Sequence, residues 1–575
     1  MLTLALSLAL LPAPLDPPSR VGHLVASGGG PIGQPTDGHT CVPAWQEAEI
    51  QAVVAANVRA LGLVDPTDGA LPPPVPPPLV RFFPHAVNLF DDAFMQYTVD
   101  LNPAAGGVMD FACASPASSY DGHNGNDSVI RSFGEQAYGV PVYAALPGTV
   151  VARADGFPDM NTTMSGQPAN YVVVQHADGS QAWYLHLRNG SVLPAVGQHV
   201  RLAEQIGLTG SSGNSSVPHL HFELRDSNGT VFEPWATTPA SACRPGSSGF
   251  VQQPAFVRTF YANDFGFTQL NIGTLPATQL PPYALPRTGH KAPAETNLYI
   301  WTIFQNLPAN ATWQFTFKRP NGTTAFTSGQ VAISNGATPQ RTWWQWTSFF
   351  VNDLNSSSFL GTWRISVTLT SPSTGTVPVV TDAPLELRSV RSATYNRPPN
   401  AFTVSLDPPA PTATDAVYAR VSASRTLDDP DYDILRYRYV WKRSGVIVRD
   451  VTHAGRSDAV PAGTLQLGSV LRCEVTCLDP LDASTAAAPA QFTVTVGPCP
   501  ADLGTEGSPD PLSGPDGFIT GTDFDVFILA FFAELRTAGG LLLADLTNDT
   551  GTGGPDGFIT GADFDRFILS FFGGC

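Results

Sequence analysis

Charge is scarce in this chain: only 14% of its 575 residues are Asp, Glu, Lys or Arg. So little charge leaves few residues for long solvated helices, while 53 glycines and 53 prolines multiply turns, and together they point to β-rich domains. Positive charge is the scarcer sign, with 30 Lys and Arg against 48 Asp and Glu. The net charge of −18 argues against nucleic acid or an anionic membrane surface as the main partner. Long apolar runs are missing as well, since no segment reaches the roughly eighteen residues of a membrane span. The opening "MLTLALSLALLPAPLDPP" has an apolar run too short to cross a bilayer but suited to a secretory signal, although no Lys or Arg precedes it. The motif H-E-x-x-H is absent, which excludes a helix-borne zinc peptidase with a Glu base. Cysteines number only seven, and export would permit disulfides. Cys113 with Cys243, and Cys499 with Cys575, bracket two regions of interest and are candidate pairs.

What is present suggests roughly three to five domains for this length. Residues 1–20 are read as the signal peptide. Residues 21–81 hold a helix, with apolar positions at three- and four-residue spacing over 44–62, and then a stiff polyproline connector, "DPTDGALPPPVPPPL". Residues 82–243 turn to short β-type runs such as "YVVVQHA" and "HLHFEL". Residues 244–395 read as a β-sandwich with strands such as "NLYIWTIF" and "TWRISVTLT". Residues 396–497, where "SVLRCEVTCLD" alternates cleanly, resemble immunoglobulin-like or cadherin-like modules, a likeness of architecture that implies no function. The fold class expected is therefore mainly β and multidomain.

The last segment, 498–575, explains the local acidity, since twelve acidic and two basic residues lie in 501–575. It contains "GPDGFITGTDFDVFILAFF" and "GPDGFITGADFDRFILSFF", repeated at a period of 40 residues. Asp516 and Asp523, and again Asp556 and Asp563, have the spacing of positions 5 and 12 of a helix-flanked calcium loop, with Gly517 and Gly557 at the sharp turn. The pair resembles dockerin-type duplicated calcium modules, which would make this a small helical EF-hand-like tail binding Ca2+ and docking to a scaffold or cell-surface partner. It departs from that family because the D-x-N-x-D start is interrupted. An acidic solvated loop pair packed by its phenylalanines is the alternative.

The chemistry gathers in residues 82–243. "SVPHLHFEL" puts His219 and His221 on one face of a strand, with Leu220 on the other. Taken alone, such a pair is a chance occurrence. Upstream, "YDGHNGNDS" sets His123 four residues before Asp127 in a polar loop, and "AWYLHLRNG" puts His186 at a strand end. Two histidines and an aspartate would leave a zinc ion one open position, the arrangement of a catalytic site. The same triad suits non-haem iron, but two extra histidines fit peptide hydrolysis better. His176 reads as structural, and His199, His290 and His453 lack supporting context.

In unbroken order, "YDGHNGND", "GVPVYAALPGTVVARADG", "YLHLRNG", "VGQHVRLAEQIGLTGSSGNS" and "HLHFEL" resemble the lysostaphin/LytM-type zinc endopeptidases over about a hundred residues. The resemblance implies that His123, Asp127 and His221 bind Zn2+, and that His186 and His219 act on the attacking water and the tetrahedral intermediate. It further implies a compact antiparallel β domain, a site in an open groove, and peptide cross-links of bacterial peptidoglycan as substrate. The expected protein is a secreted or envelope-associated metalloendopeptidase with no membrane span. Two rivals stay open: a catalytically silent wall-binding or regulatory module, and a surface adhesion or scaffold-docked protein.

Overall fold

In the computed structural model the described residues are 22–33, 40–63 and 79–493, apart from short internal breaks, together with Phe527. The signal segment 1–20 and the repeat carrying Asp516, Asp523, Asp556 and Asp563 lie outside the described residues. So do Cys499 and Cys575. The described chain is mainly β, built of antiparallel sheets with few helices. Among the described residues, no helix is long and apolar enough to cross a membrane.

In chain order, the elements that position the site are β1 (Gly22–Pro31), α1 (Ala44–Ala60), β2 (Ala93–Tyr97), β3 (Asn126–Ile130), α2 (Phe133–Tyr138), β4 (Pro141–Tyr143) and β5 (Gly148–Ala154). They continue with β6 (Tyr171–Gln175), β7 (Gln181–Leu185), β8 (His199–Val200), β9 (Gln205–Leu208), β10 (His219–Arg225), β11 (Val231–Glu233) and β12 (Thr238–Pro239). Nine of these strands form one sheet, in which β12, β11, β10, β7, β6, β5 and β8 follow one another and β3 joins β10 to β2. Strand β10 pairs with β7 through His221–Arg225 and with β3 through His219–Phe222.

Alternation along these strands sends side chains to two faces, and both are covered. One face carries Val172, Val174, Tyr184, Leu220 and Phe222 into the main core. The opposite face carries Val173, Trp183 and Leu185, which pack under Ile50, Val54 and Val58 of α1. These three helix residues lie four apart, so one stripe of α1 meets the sheet. With both faces dry, the core of "YVVVQ", Val172 to Val174, can be apolar without alternating.

A two-sheet sandwich follows in the chain. Its sheets share a core of aromatic residues that includes Phe304, Trp313, Phe315, Trp363 and Phe349. A second two-sheet unit runs from Thr403 to Thr493 around Tyr439, Trp441 and Leu471. The first sandwich takes its edge strand from the far N-terminus, because β1 pairs with the strand Gln340–Val351. The sequence reading placed only a helix and a linker in 21–81, and the reason is local. A Cβ on Gly29 would collide with the Trp344 carbonyl oxygen, and one on Gly28 would lie 2.9 Å from the Trp346 indole nitrogen. The glycines that permit this close pairing erase the period-two pattern that announces a strand.

Cys113 and Cys243 are joined in a disulfide. Among the described residues, Cys41, Cys473 and Cys477 are free and buried.

Candidate metal centre

Register builds the site. His221 on β10 stands directly opposite Asp127 on β3, so the two side chains leave the same face as cross-strand neighbours. Asp127 Oδ1 lies 2.9 Å from His221 Nδ1. His123, in the loop that enters β3, brings its Nε2 to 3.1 Å from Asp127 Oδ2 and 3.3 Å from His221 Nδ1. Gly125 makes that loop possible: a Cβ there would sit 2.5 Å from the His221 ring. The three residues inferred as zinc ligands therefore converge, and they are joined by a fourth. The Cys41 sulfur, 3.2 Å from His221 Nδ1, completes a set of ligand atoms that all lie within 4.8 Å of one another.

Each imidazole has its outer nitrogen tied down. The Nδ1 of His123 bonds to the Thr98 carbonyl at 2.8 Å, which turns Nε2 inward. His221 does the reverse, with Nε2 bonded to Glu223 Oε1 at 2.9 Å and Nδ1 inward. Glu223 is held in turn by Arg225, which also reaches Glu47 of α1. Such outer partners fix the tautomer and ring orientation of metal-binding histidines.

The other two histidines point at the same space. His186 holds its Nδ1 on the Ser212 carbonyl at 2.6 Å, and His219 holds its Nδ1 on the Val217 carbonyl at 2.9 Å. Both Nε2 atoms are buried without a hydrogen-bond partner. The rings stand 4.5 Å apart, and His219 Nε2 is 3.7 Å from Asp127 Oδ1. His186 takes a positive φ of 62°, an uncommon conformation for a non-glycine residue, and it sits where β7 ends and the chain turns. Beside them, His85 bridges the Ser128 and Thr209 hydroxyls, and burial followed by the nearby His219 pushes its pKa down to about 3.

Charges in the cluster are strongly coupled. Burial opposes ionisation of Asp127, yet His123 and His219 outweigh it and hold the carboxyl well below its usual range. Burial would likewise lower His123, but Asp127 and Cys41 push it up to about 10. Burial would raise the Cys41 thiol, and the charge on His221 overrides this and holds it well below the usual thiol value. Raised imidazoles facing a lowered carboxyl and a lowered thiol make a charge pattern that a divalent cation can replace when it displaces protons. Two imidazoles, one carboxylate and one thiolate also form a donor set of the kind zinc accepts. The residues present fit the metal.

Two features depart from the sequence reading. The resemblance implied an open groove, but His123, Asp127, His186, His219 and His221 are each 4% exposed or less. Residues 40–63 cover them. Cys41 and Glu223 were also not among the expected site residues. Glu223 was within reach of the strand pattern, because H-x-H-x-E sends all three side chains to one face. No sequence pattern links Cys41 to a histidine 180 residues away. His176, read from the sequence as structural, holds its Nδ1 on the Pro147 carbonyl at 2.7 Å.

Three inward-turned donor groups, a dry surround and two unpartnered imidazole nitrogens make a site that could hold a metal ion beside groups able to move protons, a class that includes hydrolytic metalloenzymes. Comparison with known proteins narrows this class. Residues 130–234 match Peptidase family M23, so the chain carries an M23, LytM-type domain. That match takes in His186, His219 and His221 but begins three residues beyond Asp127, so the His123–Asp127 loop rests on geometry. The peptidoglycan DD-endopeptidase ShyA of Vibrio cholerae is 37% identical over 102 residues, which cover 18% of this chain and 20% of that protein. The DD-carboxypeptidase/endopeptidase Mpg of Neisseria meningitidis is 41% identical over 87 residues, covering 14% of this chain and 19% of that protein. A solved zinc-containing peptidase from Vibrio cholerae is 26% identical, covers 25% of this chain and 39% of its own, and aligns with a TM-score of 0.17. The chain thus spans about a fifth of the length of these curated relatives.

Proposed function

We propose that this protein is a zinc-dependent endopeptidase that hydrolyses peptide cross-links of bacterial peptidoglycan, outside the cytoplasm. One observation carries the reading: His123 Nε2, Asp127 and His221 Nδ1 share one small volume, bordered by the free Nε2 atoms of His186 and His219. The named activities of the M23 relatives supply the substrate class.

Zinc held by His123, Asp127 and His221 would supply Lewis acidity, activating water and polarising a peptide carbonyl. The chain's own residues do the rest. With Nδ1 fixed as a donor to a backbone carbonyl, His219 and His186 each present a basic Nε2. One accepts the proton of the attacking water. Once protonated, an imidazole donates from Nε2 to the developing oxyanion or to the leaving amine. Dry walls strengthen each of these interactions. The two β units and the C-terminal repeat are proposed as modules for attachment or docking, the repeat by way of calcium.

The test joins metal analysis to digestion of purified peptidoglycan, with the released muropeptides identified by mass spectrometry. One zinc per chain is expected, chelation should abolish cleavage and zinc should restore it. His219→Ala should keep its zinc and lose roughly 100- to 10,000-fold in rate. A chain that holds no zinc, or an His219→Ala variant that cleaves like the wild type, overturns the proposal. The rival reading as a silent wall-binding module is favoured by one observation, the burial of the site.

A further inference from the structure

That burial has a specific cause. Residues 40–63 lie across the site face of the sheet and are fastened at several points. Asn214 Nδ2 donates to the Thr40 carbonyl, and the Cys41 N–H donates to the Tyr120 hydroxyl at 3.1 Å. Further along, Asn57 Nδ2 donates to the Val151 carbonyl at 2.7 Å, and Arg225 meets Glu47 at 2.8 Å. At the head of this strap, the sulfur of Cys41 enters the space that His123, Asp127 and His221 leave among themselves. It is fully inside, 3% exposed, with an imidazole nitrogen 3.2 Å away. The unpartnered Nε2 atoms of His186 and His219 border the same space.

We infer that Cys41 is the fourth protein ligand of the metal and that residues 40–63 are an inhibitory strap holding the enzyme latent. The inference rests on the zinc-endopeptidase reading. A hydrolytic zinc centre needs one position free of protein, whereas four protein ligands make a closed, structural-type centre. Water and a peptide carbonyl can enter between the ligands and the two histidines only while Cys41 is displaced, so the wild type keeps a residual activity. Thiolate is also a ligand that zinc favours, so the plug is a strong one. The same sheet face that α1 buries is the face a substrate peptide would have to lie along. The strap therefore blocks both the metal position and the binding surface. Latency and activity differ by removal of one segment, and the remainder of the site is already assembled beneath it.

The experiment uses the full chain loaded with cobalt(II) in place of zinc, as wild type, Cys41→Ser and Cys41→Ala. Thiolate bonded to cobalt gives an intense near-ultraviolet charge-transfer band, which imidazole and carboxylate do not give. The band is expected in the wild type and absent from both variants, each of which should still bind one cobalt. Zinc-loaded Cys41→Ala should clear peptidoglycan at least about tenfold faster than the wild type. Glu47→Gln, which loosens the strap without touching the thiol, should keep the band and show a smaller gain. Cobalt bound by the wild type without the band would overturn ligation by Cys41. A band present, with Cys41→Ala and Glu47→Gln no faster than wild type, would overturn latency. Failure of every form to bind metal would remove the endopeptidase reading itself, and the inference with it.

Discussion

At the residue scale, the site depends on contacts that allow no spare atom. Gly125 is the clearest case. The added methyl of Gly125→Ala would meet the His221 ring at 2.5 Å. That ring cannot swing aside, because Glu223 and Asp127 hold its two nitrogens. Gly125→Ala is therefore expected to lower zinc occupancy while far-ultraviolet circular dichroism stays unchanged. Glu223 acts one bond further out. Glu223→Gln removes the negative charge that favours the Nε2–H tautomer of His221 and leaves Arg225 with one buried partner fewer. A loss of about 10- to 100-fold in zinc affinity is expected, by competition against a chelator of known affinity. Unchanged affinity would mean that His221 is oriented by β10 alone.

At the scale of elements, α1 is the part whose stability can be set apart from the rest. Ile50 is fully buried between the helix and the sheet. Ile50→Ala should cost about 2–5 kcal/mol of that contact. Because all the apolar contact of α1 with the sheet lies in one stripe, the loss should appear as local detachment. Amides of residues 44–60 should then exchange hydrogen faster, while those of β10 keep their protection. Equal acceleration in both would show that helix and sheet open together. The helix and the histidine strands were legible in the sequence for the same reason: their side chains repeat with the period of the element, four along α1 and two along β10. Asp127 and His221 could be expected to meet because resemblance supplied a pairing that periodicity cannot, and the structure brings them together. Strand β1 and the Cys41 plug were not legible. The first is written in glycines, which give no pattern, and the second is a contact between a loop and a strand 180 residues further on, with no pattern to give. The open groove was expected because the resemblance covers the sheet but not the strap lying on it.

At the scale of the molecule, the peptidase domain is bolted to the unit that begins at Thr403, and one buried carboxylate marks the joint. Asp458, fully buried, accepts from the Tyr143 hydroxyl of β4 at 2.9 Å, from the Trp441 indole at 2.7 Å and from Arg449 at 2.7 Å. Arg449 also donates to Gln205 of β9 at 3.0 Å, so the arginine spans the same joint. Burial would raise the Asp458 pKa, but hydrogen bonds from His453 and Arg449 prevail and hold it far below the ordinary carboxylate value. A depressed carboxylate stabilises the fold fully above its unfolded pKa of about 4, and that contribution drains away as pH falls below it. Acid should therefore loosen this joint first, with thermal stability dropping below about pH 4 and Tyr143 and Trp441 reporting it by fluorescence. Asp458→Asn removes the charge at every pH and leaves the Arg449 guanidinium without its carboxylate, a loss of about 3–5 kcal/mol at neutral pH. Its melting temperature should then be lower than wild type at pH 7 and nearly level between pH 5 and 3. If wild type and variant instead fall in parallel as the pH drops, the acid sensitivity lies with other carboxylates and Asp458 is not the fastening of the two units.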